Sequence, residues 1–356
     1  MNSRERVLTA IARAAPDRVP LDFSANTGVL ARLQRDFSAP THHALLDRLH
    51  VDIVDLRGVV DPVYRGPIPK ERELPDGVRE NYWGWRTKRM PTAMGMEDSF
   101  CEFILSGCES VEELAAHRWP QPDWFDFDGF AGRLREWEGR CLMASGASVW
   151  QHPTFLRSIE QMLVDLATAP DIADFLMDRF TDFYVAYFDQ MFTAAPGQID
   201  LLRIADDFGM QHGLLIGPGC FDRFVAPRLG RLVDVAHAHG VKVMFHSCGA
   251  IVPLIDRIID LGVDVLDPIQ VAADGMAPET IKERFGGRIC LHGAIDTQHL
   301  LPRGSAEEVA VEARRMIDVL GCGGGYILAP SHVLQNDVPT RNVAALYDTA
   351  YEHGCP

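Results

Sequence analysis

From residue 199 to the C-terminus, short apolar runs alternate with amphipathic stretches, and this rhythm constrains the fold more than any other feature of the sequence. Segments 199–205, 241–246, 263–266, 288–293 and 323–328 are short and apolar enough to be buried strands. Between and after them, 221–239, 251–261, 279–285, 306–320 and 341–352 carry helical patterning. Gly240 stands where the first of these helices needs a C-cap. Ser305-Ala-Glu-Glu308 is a capping box, and Gly321 follows the helix it opens. Strands recur about every 25–45 residues, which leaves room for a crossover helix and so for parallel pairing. Three further strands are expected upstream, at 20–23, 51–56 and 141–145. Around eight strands with no Gly-x-Gly-x-x-Gly after the first predict an α/β fold, a (β/α)8 TIM-type barrel rather than a doubly wound sheet.

The 356 residues fit one such domain, 1–356, with N-terminal helical and irregular additions. An amphipathic helix over 2–14, capped by Asn2 or Ser3, leads into the first strand. Segment 57–100 is long for a connection and rich in Arg, Pro, Gly and aromatics, including Tyr64, Tyr82, Trp83 and Trp85. It reads either as a functional lid or as an irregular β-hairpin covering the barrel. Segments 154–167 and 171–194 read as helices, and Phe175, Leu176, Phe183, Tyr187 and Met191 in the second have the spacing of core packing.

A formal net charge of −16 makes nucleic acid and anionic membrane poor partners, since both need basic surface. No stretch is long and apolar enough to span a bilayer, and residues 1–14 have no signal-type apolar core, so a cytoplasmic protein is expected. The eight cysteines are scattered without a Cys-x-x-Cys pair, which argues against a disulfide framework.

In a barrel the C-terminal strand ends carry the site. His246-Ser-Cys248-Gly ends one strand, and residues two apart on an extended chain point the same way, so an imidazole and a thiolate converge there. Those are side chains zinc prefers. His332, just past the last strand, is the first choice for a third ligand, with Cys322 as rival. One Cys, two His and an open position would make a catalytic rather than a structural zinc. Paired carboxylates Asp206 and Asp207 close another strand and are the catalytic candidates. Trp150 and His152 on a Gly-rich turn, Gln211, Asp296 and Gln335 are substrate-binding candidates from the same mouth. There is no Gly-x-Ser-x-Gly elbow.

Several of these pieces, taken together, resemble the uroporphyrinogen decarboxylase superfamily over nearly the whole chain. They are Ser3-Arg-Glu-Arg-Val7 with Asp17-Arg-Val-Pro20, Asp206-Asp207-Phe-Gly209, Gly240-Val-Lys-Val with His246-Ser-Cys-Gly249, Gly293-Ala-Ile-Asp296, and Gly324-Gly-Tyr-Ile-Leu328 with Asp337-Val-Pro339 and Asn342. The resemblance implies a (β/α)8 barrel with its site at the C-terminal mouth, and a homodimer. Decarboxylases of the superfamily bind substrate carboxylates through an arginine-rich N-terminal segment; here that stretch is Arg18-Val-Pro-Leu-Asp-Phe-Ser-Ala-Asn-Thr-Gly28 and lacks those arginines. The chain looks closer to the zinc-dependent branch, such as methylcobamide:coenzyme M methyltransferases, which use His-x-Cys plus a late cysteine. His246 and Cys248 match; His332 stands in the late cysteine's place, where decarboxylases also have a histidine. The resemblance thus implies Zn2+ as cofactor and a corrinoid carried by a partner protein. The expected activity is zinc-dependent methyl transfer in one-carbon metabolism, between a small-molecule donor or acceptor, or a thiol, and that corrinoid. The alternatives are a metal-free, decarboxylase-like lyase on another carboxylated substrate, and a non-catalytic barrel that binds a corrinoid or tetrapyrrole.

Overall fold

A computed structural model describes residues 1–92 and 95–353. Seven strands form one curled, wholly parallel sheet in strict chain order: β1 (Ile53–Asp55), β2 (Cys141–Ala147), β3 (Leu201–Ala205), β4 (Lys242–His246), β5 (Val265–Ile269), β6 (Cys290–Ile295) and β7 (Tyr326–Pro330). Helices fill the crossovers, among them Ala226–Ala238, Val252–Asp260, Pro278–Phe285 and Ala306–Leu320. Both Asn2 and Ser305 cap their helices with complete capping boxes. Among the described residues, no helix is long and apolar enough to cross a membrane.

The expected first strand at 20–23 is not a regular strand. Leu21 makes a single parallel bridge to Leu328. The reason lies in its donors. Pro20 has no N–H to give, and the Leu21 N–H goes to the Asp52 carboxylate at 2.9 Å instead of to a backbone carbonyl. The segment still touches both outer strands of the sheet. Asp22 N donates to Leu328 O and Leu328 N to Pro20 O on one side; Asp52 N donates to Leu21 O on the other.

Inside the curl, Ile53, Met143, Leu201, Met244, Val265, Cys290 and Ile327 make a buried apolar floor together with Val7, Ala10 and Ile11 of the N-terminal helix Ser3–Ile11. That helix therefore plugs the end of the sheet where the strands begin. A larger core lies between the sheet and the surrounding helices.

Two expected elements differ in detail. The stretch 154–167 is two helices, Gln151–Arg157 and Ile159–Thr168. Ser158 separates them with φ 69°, and its hydroxyl accepts from Gln161 N to cap the second. The segment 57–100 is more regular than a hairpin: Glu71–Leu74, Val78–Asn81, Arg86–Thr92 and Gly95–Glu102 form a four-stranded antiparallel sheet. Its turn carries Trp83 and Trp85 onto the helix Pro170–Ala194, with Trp83 stacked 4.4 Å from Phe180.

Asp52 is fully buried and is the ionic anchor beneath the sheet. It accepts from Arg6 at 2.7 Å and from Arg18 at 2.8 and 3.0 Å. Removing this carboxylate leaves the largely buried Arg18 guanidinium without an ion-pair partner, takes from Arg6 one of its two carboxylates (Asp17 remains), and frees Leu21. Asp52→Ala is expected to lose about 3–5 kcal/mol of stability, read as a lowered midpoint in urea denaturation. An unchanged midpoint would show that the anchor carries no weight.

Candidate functional site

The strands turn polar two residues beyond the apolar floor. Because side chains on a strand alternate with period two, Ile53, Met143, Leu201, Met244, Val265 and Cys290 on the floor are followed on the same face by Asp55, Ser145, Arg203, His246, Asp267 and His292. The inward layer nearer the strand C-termini is thus a ring of hydrogen-bonding and charged groups. Parallel register sets its neighbours: His246 lies beside Asp267 across β4 and β5, and Ser145 beside Arg203 across β2 and β3.

Asp267 is the hub of that ring. It accepts from Arg203 Nε at 2.9 Å, meets His246 Nδ1 at 2.7 Å through Oδ2, and meets His292 Nδ1 at 2.8 Å through Oδ1. His292 Nε2 reaches Asp22 Oδ2 at 3.0 Å. Burial opposes ionisation of Asp267, but the Arg203 charge and the flanking His246 and His292 imidazoles outweigh it and hold its pKa well below the usual carboxylate range. Burial also lowers His292, yet the flanking carboxylates of Asp267 and Asp22 win and raise it to about 9. Arg203 Nη2 lies 2.7 Å from His246 Nδ1 as well. Arg203 already has Asp267 as acceptor, and a bare Nδ1 would face that carboxylate acceptor to acceptor. The proton therefore belongs on Nδ1, donated to Asp267, and Nε2 keeps its lone pair.

That lone pair meets Cys248. Sγ lies 3.4 Å from His246 Nε2, and ligand atoms of His246, Cys248 and His332 all fall within 4.8 Å of one another. Ligands around a tetrahedral zinc sit roughly 3.3–3.8 Å apart, given bonds of about 2.0–2.3 Å. The His246–Cys248 pair has that spacing already, and His332 closes the triangle with a small side-chain movement. The donor set suits zinc. Burial, and then the Asp207 carboxylate, push the Cys248 thiol well above its ordinary value.

The backbone at Cys248 is fixed from two sides. Asp207 Oδ1 accepts from Cys248 N at 2.9 Å and lies 3.7 Å from His246 Nε2. Gly249 has φ +83° and packs against Gly209; a Cβ there would meet the Gly209 carbonyl carbon at 2.4 Å. Ala250 N donates to Met210 O at 2.8 Å across the same contact. Glycine is required at 249 for both reasons, conformation and close approach. A narrow cavity of about 40 Å3 opens beside the cluster, walled by Asp22, Asp55, Arg203, His246, Asp267 and His332, among others.

The other sequence candidates are placed as follows. Asp206 is fully buried and does not reach the cavity. It accepts from Ser148 Oγ at 2.6 Å and from the N–H groups of Val149, Trp150 and Gln151 at 2.7–2.8 Å. Burial lifts it to about 6 even so. It is the anchor of the turn that opens the helix Gln151–Arg157, which corrects the expectation that it acts on substrate. Trp150 is core, 1% exposed. The Gln211 side chain donates to Ala272 O, Asp296 accepts the N–H groups of Gln298, His299 and Leu300, and Gln335 accepts from Asn26. These four are tied to structure and are not brought to the cavity. His152 lines a separate aromatic cavity. Cys322 is exposed, on the loop ahead of β7 and away from the cluster. Asp22, Asp55, Arg203, Asp267 and His292 were not anticipated. Their signal was present: a charged or polar residue inside an otherwise apolar parallel strand, in step with the inward face.

A parallel α/β sheet with a His–Cys–His cluster at its C-terminal strand ends defines the class. The sequence model of the uroporphyrinogen decarboxylase (URO-D) family matches residues 141–353, and the chain belongs to that family. Curated relatives include a uroporphyrinogen decarboxylase from Azoarcus sp. (strain BH72), 26% identical over 230 residues, 63% of this chain and 58% of that protein. They also include the methylcobamide:CoM methyltransferase MtbA of Methanosarcina acetivorans, 23% identical over 186 residues, 52% of this chain and 51% of that protein. The chain thus spans just over half the length of these two relatives. Among solved structures, a methyltransferase from Methanosarcina mazei shares the fold with a TM-score of 0.65 at 18% identity, over 99% of both chains.

His292 supplies a pH test of the polar ring. Its folded pKa of about 9 lies above the ordinary histidine value near 6.5. The stabilisation it gives is therefore complete below pH ~6.5 and fades as the pH rises through about 9. The stability gap between wild type and His292→Gln is expected to be larger at pH 6 than at pH 9.5, by roughly 3 kcal/mol for a rise of about 2.5 units. Urea denaturation at both pH values measures it; a gap independent of pH contradicts the assignment.

Proposed function

We propose that the chain is a zinc-dependent methyltransferase of corrinoid-linked one-carbon metabolism, folded as one closed (β/α)8 domain over 1–356. It moves a methyl group between a small molecule or thiol and the cobalt of a separate corrinoid protein. The observation that carries this reading is the gathering of His246, Cys248 and His332 ligand atoms within 4.8 Å, with Asp267 holding His246 from behind. Similarity to the MtbA methyltransferase supports it, as does the fold shared with the Methanosarcina mazei methyltransferase.

His246, Cys248 and His332 would hold the metal and leave one position open. Zinc bound there supplies Lewis acidity, lowering the cost of a thiolate or of a departing heteroatom that keeps the bonding pair as the methyl leaves. The protein's own residues do the rest. Asp267 accepts from His246 Nδ1, which leaves Nε2 as the nitrogen turned toward the metal position. Asp207 accepts the Cys248 N–H and fixes the loop that carries the sulfur; its half-exposed carboxylate is also placed to orient a substrate. Arg203 neutralises Asp267 and keeps the carboxylate aimed at His246.

A porphyrinogen is a poor fit. Arg203 is committed to Asp267, and the segment 18–28 lacks the arginines that decarboxylases of the superfamily use to bind substrate carboxylates. The decarboxylase-like lyase on a smaller substrate is the reading that a metal-free enzyme would favour.

Zinc content of the purified chain tests the proposal. Wild type is expected to carry close to one zinc per chain, and Cys248→Ser and His332→Ala to lose it. Asp267→Asn, which leaves buried Arg203 without its carboxylate, is expected to lower stability and, in the folded protein, to weaken zinc about 10–100-fold, measured by competition with a chelator. Wild type that stays metal-free after zinc-supplemented growth would overturn the zinc mechanism. Zinc retained in His332→Ala would remove His332 from the ligand set.

A further inference from the structure

Three protein ligands leave a tetrahedral zinc one position short, and Asp207, a residue outside the His-x-Cys motif, stands beside that gap. It lies two residues beyond β3, and its Oδ1 is 3.7 Å from His246 Nε2, inside the spacing of neighbouring ligands around such a metal. The carboxylate also reaches the Cys248 thiol, and its charge is felt at His332. It thus bears on all three members of the cluster, from a strand that supplies none of them.

The other carboxylates around the site are committed. Asp206 takes Ser148 and three backbone N–H groups. Asp267 takes Arg203, His246 and His292. Asp22 meets His292 and accepts from Phe23 N, and Asp55 accepts from Ser145 and from Arg57 N. Asp207 accepts one backbone N–H, that of Cys248, and among the described residues no lysine or arginine pairs with it. Residues 204–222 and 247–256, the loops on either side, contain neither lysine nor arginine, and Arg203 is held by Asp267. A carboxylate oxygen has two lone pairs, so the Cys248 N–H leaves one for a cation. A dication bound by a thiolate, this carboxylate and two neutral imidazoles is fully charge-balanced.

The spacing is preset by the backbone. Phe208 N donates to Ser247 Oγ at 2.9 Å, Ala250 N donates to Met210 O at 2.8 Å, and Gly209 packs on Gly249. The turn carrying Asp207 and the loop carrying Cys248 are therefore fastened together at successive residues. We infer that Asp207 is the fourth zinc ligand of the resting protein, filling the position the other three leave open until a substrate takes it. This rests on the zinc part of the function proposed above and is independent of which group is methylated. Once displaced, the carboxylate stays beside the incoming group, in the orienting place given to it above.

The test compares wild type, Asp207→Asn and Asp207→Ala as full chains, by zinc affinity in chelator competition and by the visible d–d spectrum of the Co2+-substituted protein. Asn keeps an oxygen that can accept the Cys248 N–H but brings no negative charge, so it separates metal ligation from positioning of the loop. Asp207→Ala removes both and is the second variant. Both are expected to bind zinc at least about 10-fold more weakly than wild type, and both to shift the cobalt bands, with Asp207→Asn keeping the wild-type midpoint in urea. Wild-type zinc affinity in Asp207→Asn overturns the inference, whatever Asp207→Ala does. Weaker zinc with an unchanged cobalt spectrum also overturns it, because Asp207 would then only position Cys248. Zinc lost in Cys248→Ser but held normally by Asp207→Asn sinks this inference alone; a wild type that takes no zinc sinks the zinc reading and this inference with it.

Discussion

The Asp267 carboxylate is the interaction on which the arrangement of the site depends. One buried anion takes Arg203, His246 and His292 on its two oxygens. Each partner comes from a different strand, so the carboxylate fixes the relative height of β3, β4, β5 and β6 at the level where the interior turns polar. A buried charge is costly without such partners. Here three cationic or hydrogen-bonding groups surround it, and in return it sets which nitrogen of His246 is free. The chemical consequence, a lone pair aimed at Cys248, follows from the electrostatics and needs no further residue.

The site is layered because strands alternate. An apolar floor seals the sheet where the strands begin, and the helix Ser3–Ile11 closes it with Val7, Ala10 and Ile11. The polar ring stands on that floor, and the His–Cys–His cluster stands on the ring. Asp52 anchors the layer below, and Asp206 anchors the loop beside the site. Buried carboxylates thus recur as fasteners, each gathering donors that the backbone or arginines would otherwise leave unpaired. Only Asp207 of the adjacent pair keeps an open side towards the cluster.

Much of this was legible in the sequence. The parallel strand-and-helix rhythm after residue 199 was, because apolar runs of strand length and capped helices leave a local signature. His246 and Cys248 were legible because their spacing equals the strand period, and His332 because it follows the last strand. The first strand was over-read: Pro20 has no donor and the Asp52 contact takes the Leu21 N–H off the ladder, which leaves Asp22 N paired to Leu328 O, and a long-range ion network is invisible to local pattern. Trp150, Gln211, Asp296 and Gln335 were over-read for a related reason. Polar residues just past a strand end serve the backbone of their own loops as often as a ligand, and only the hydrogen-bond partners tell the two apart. Asp267 and His292 were under-read, since their role exists only once four strands are side by side. The aromatic cavity needed the same knowledge, because the Trp83–Trp85 turn and helix Pro170–Ala194 are distant in sequence.

Zinc-edge X-ray absorption on the zinc-loaded full chain tests the central claim most directly. The account predicts one sulfur at about 2.3 Å and two imidazole nitrogens at about 2.0–2.1 Å, with one further light atom completing four-coordination. A spectrum without sulfur, or with two or more sulfurs, would contradict a centre built from His246, Cys248 and His332.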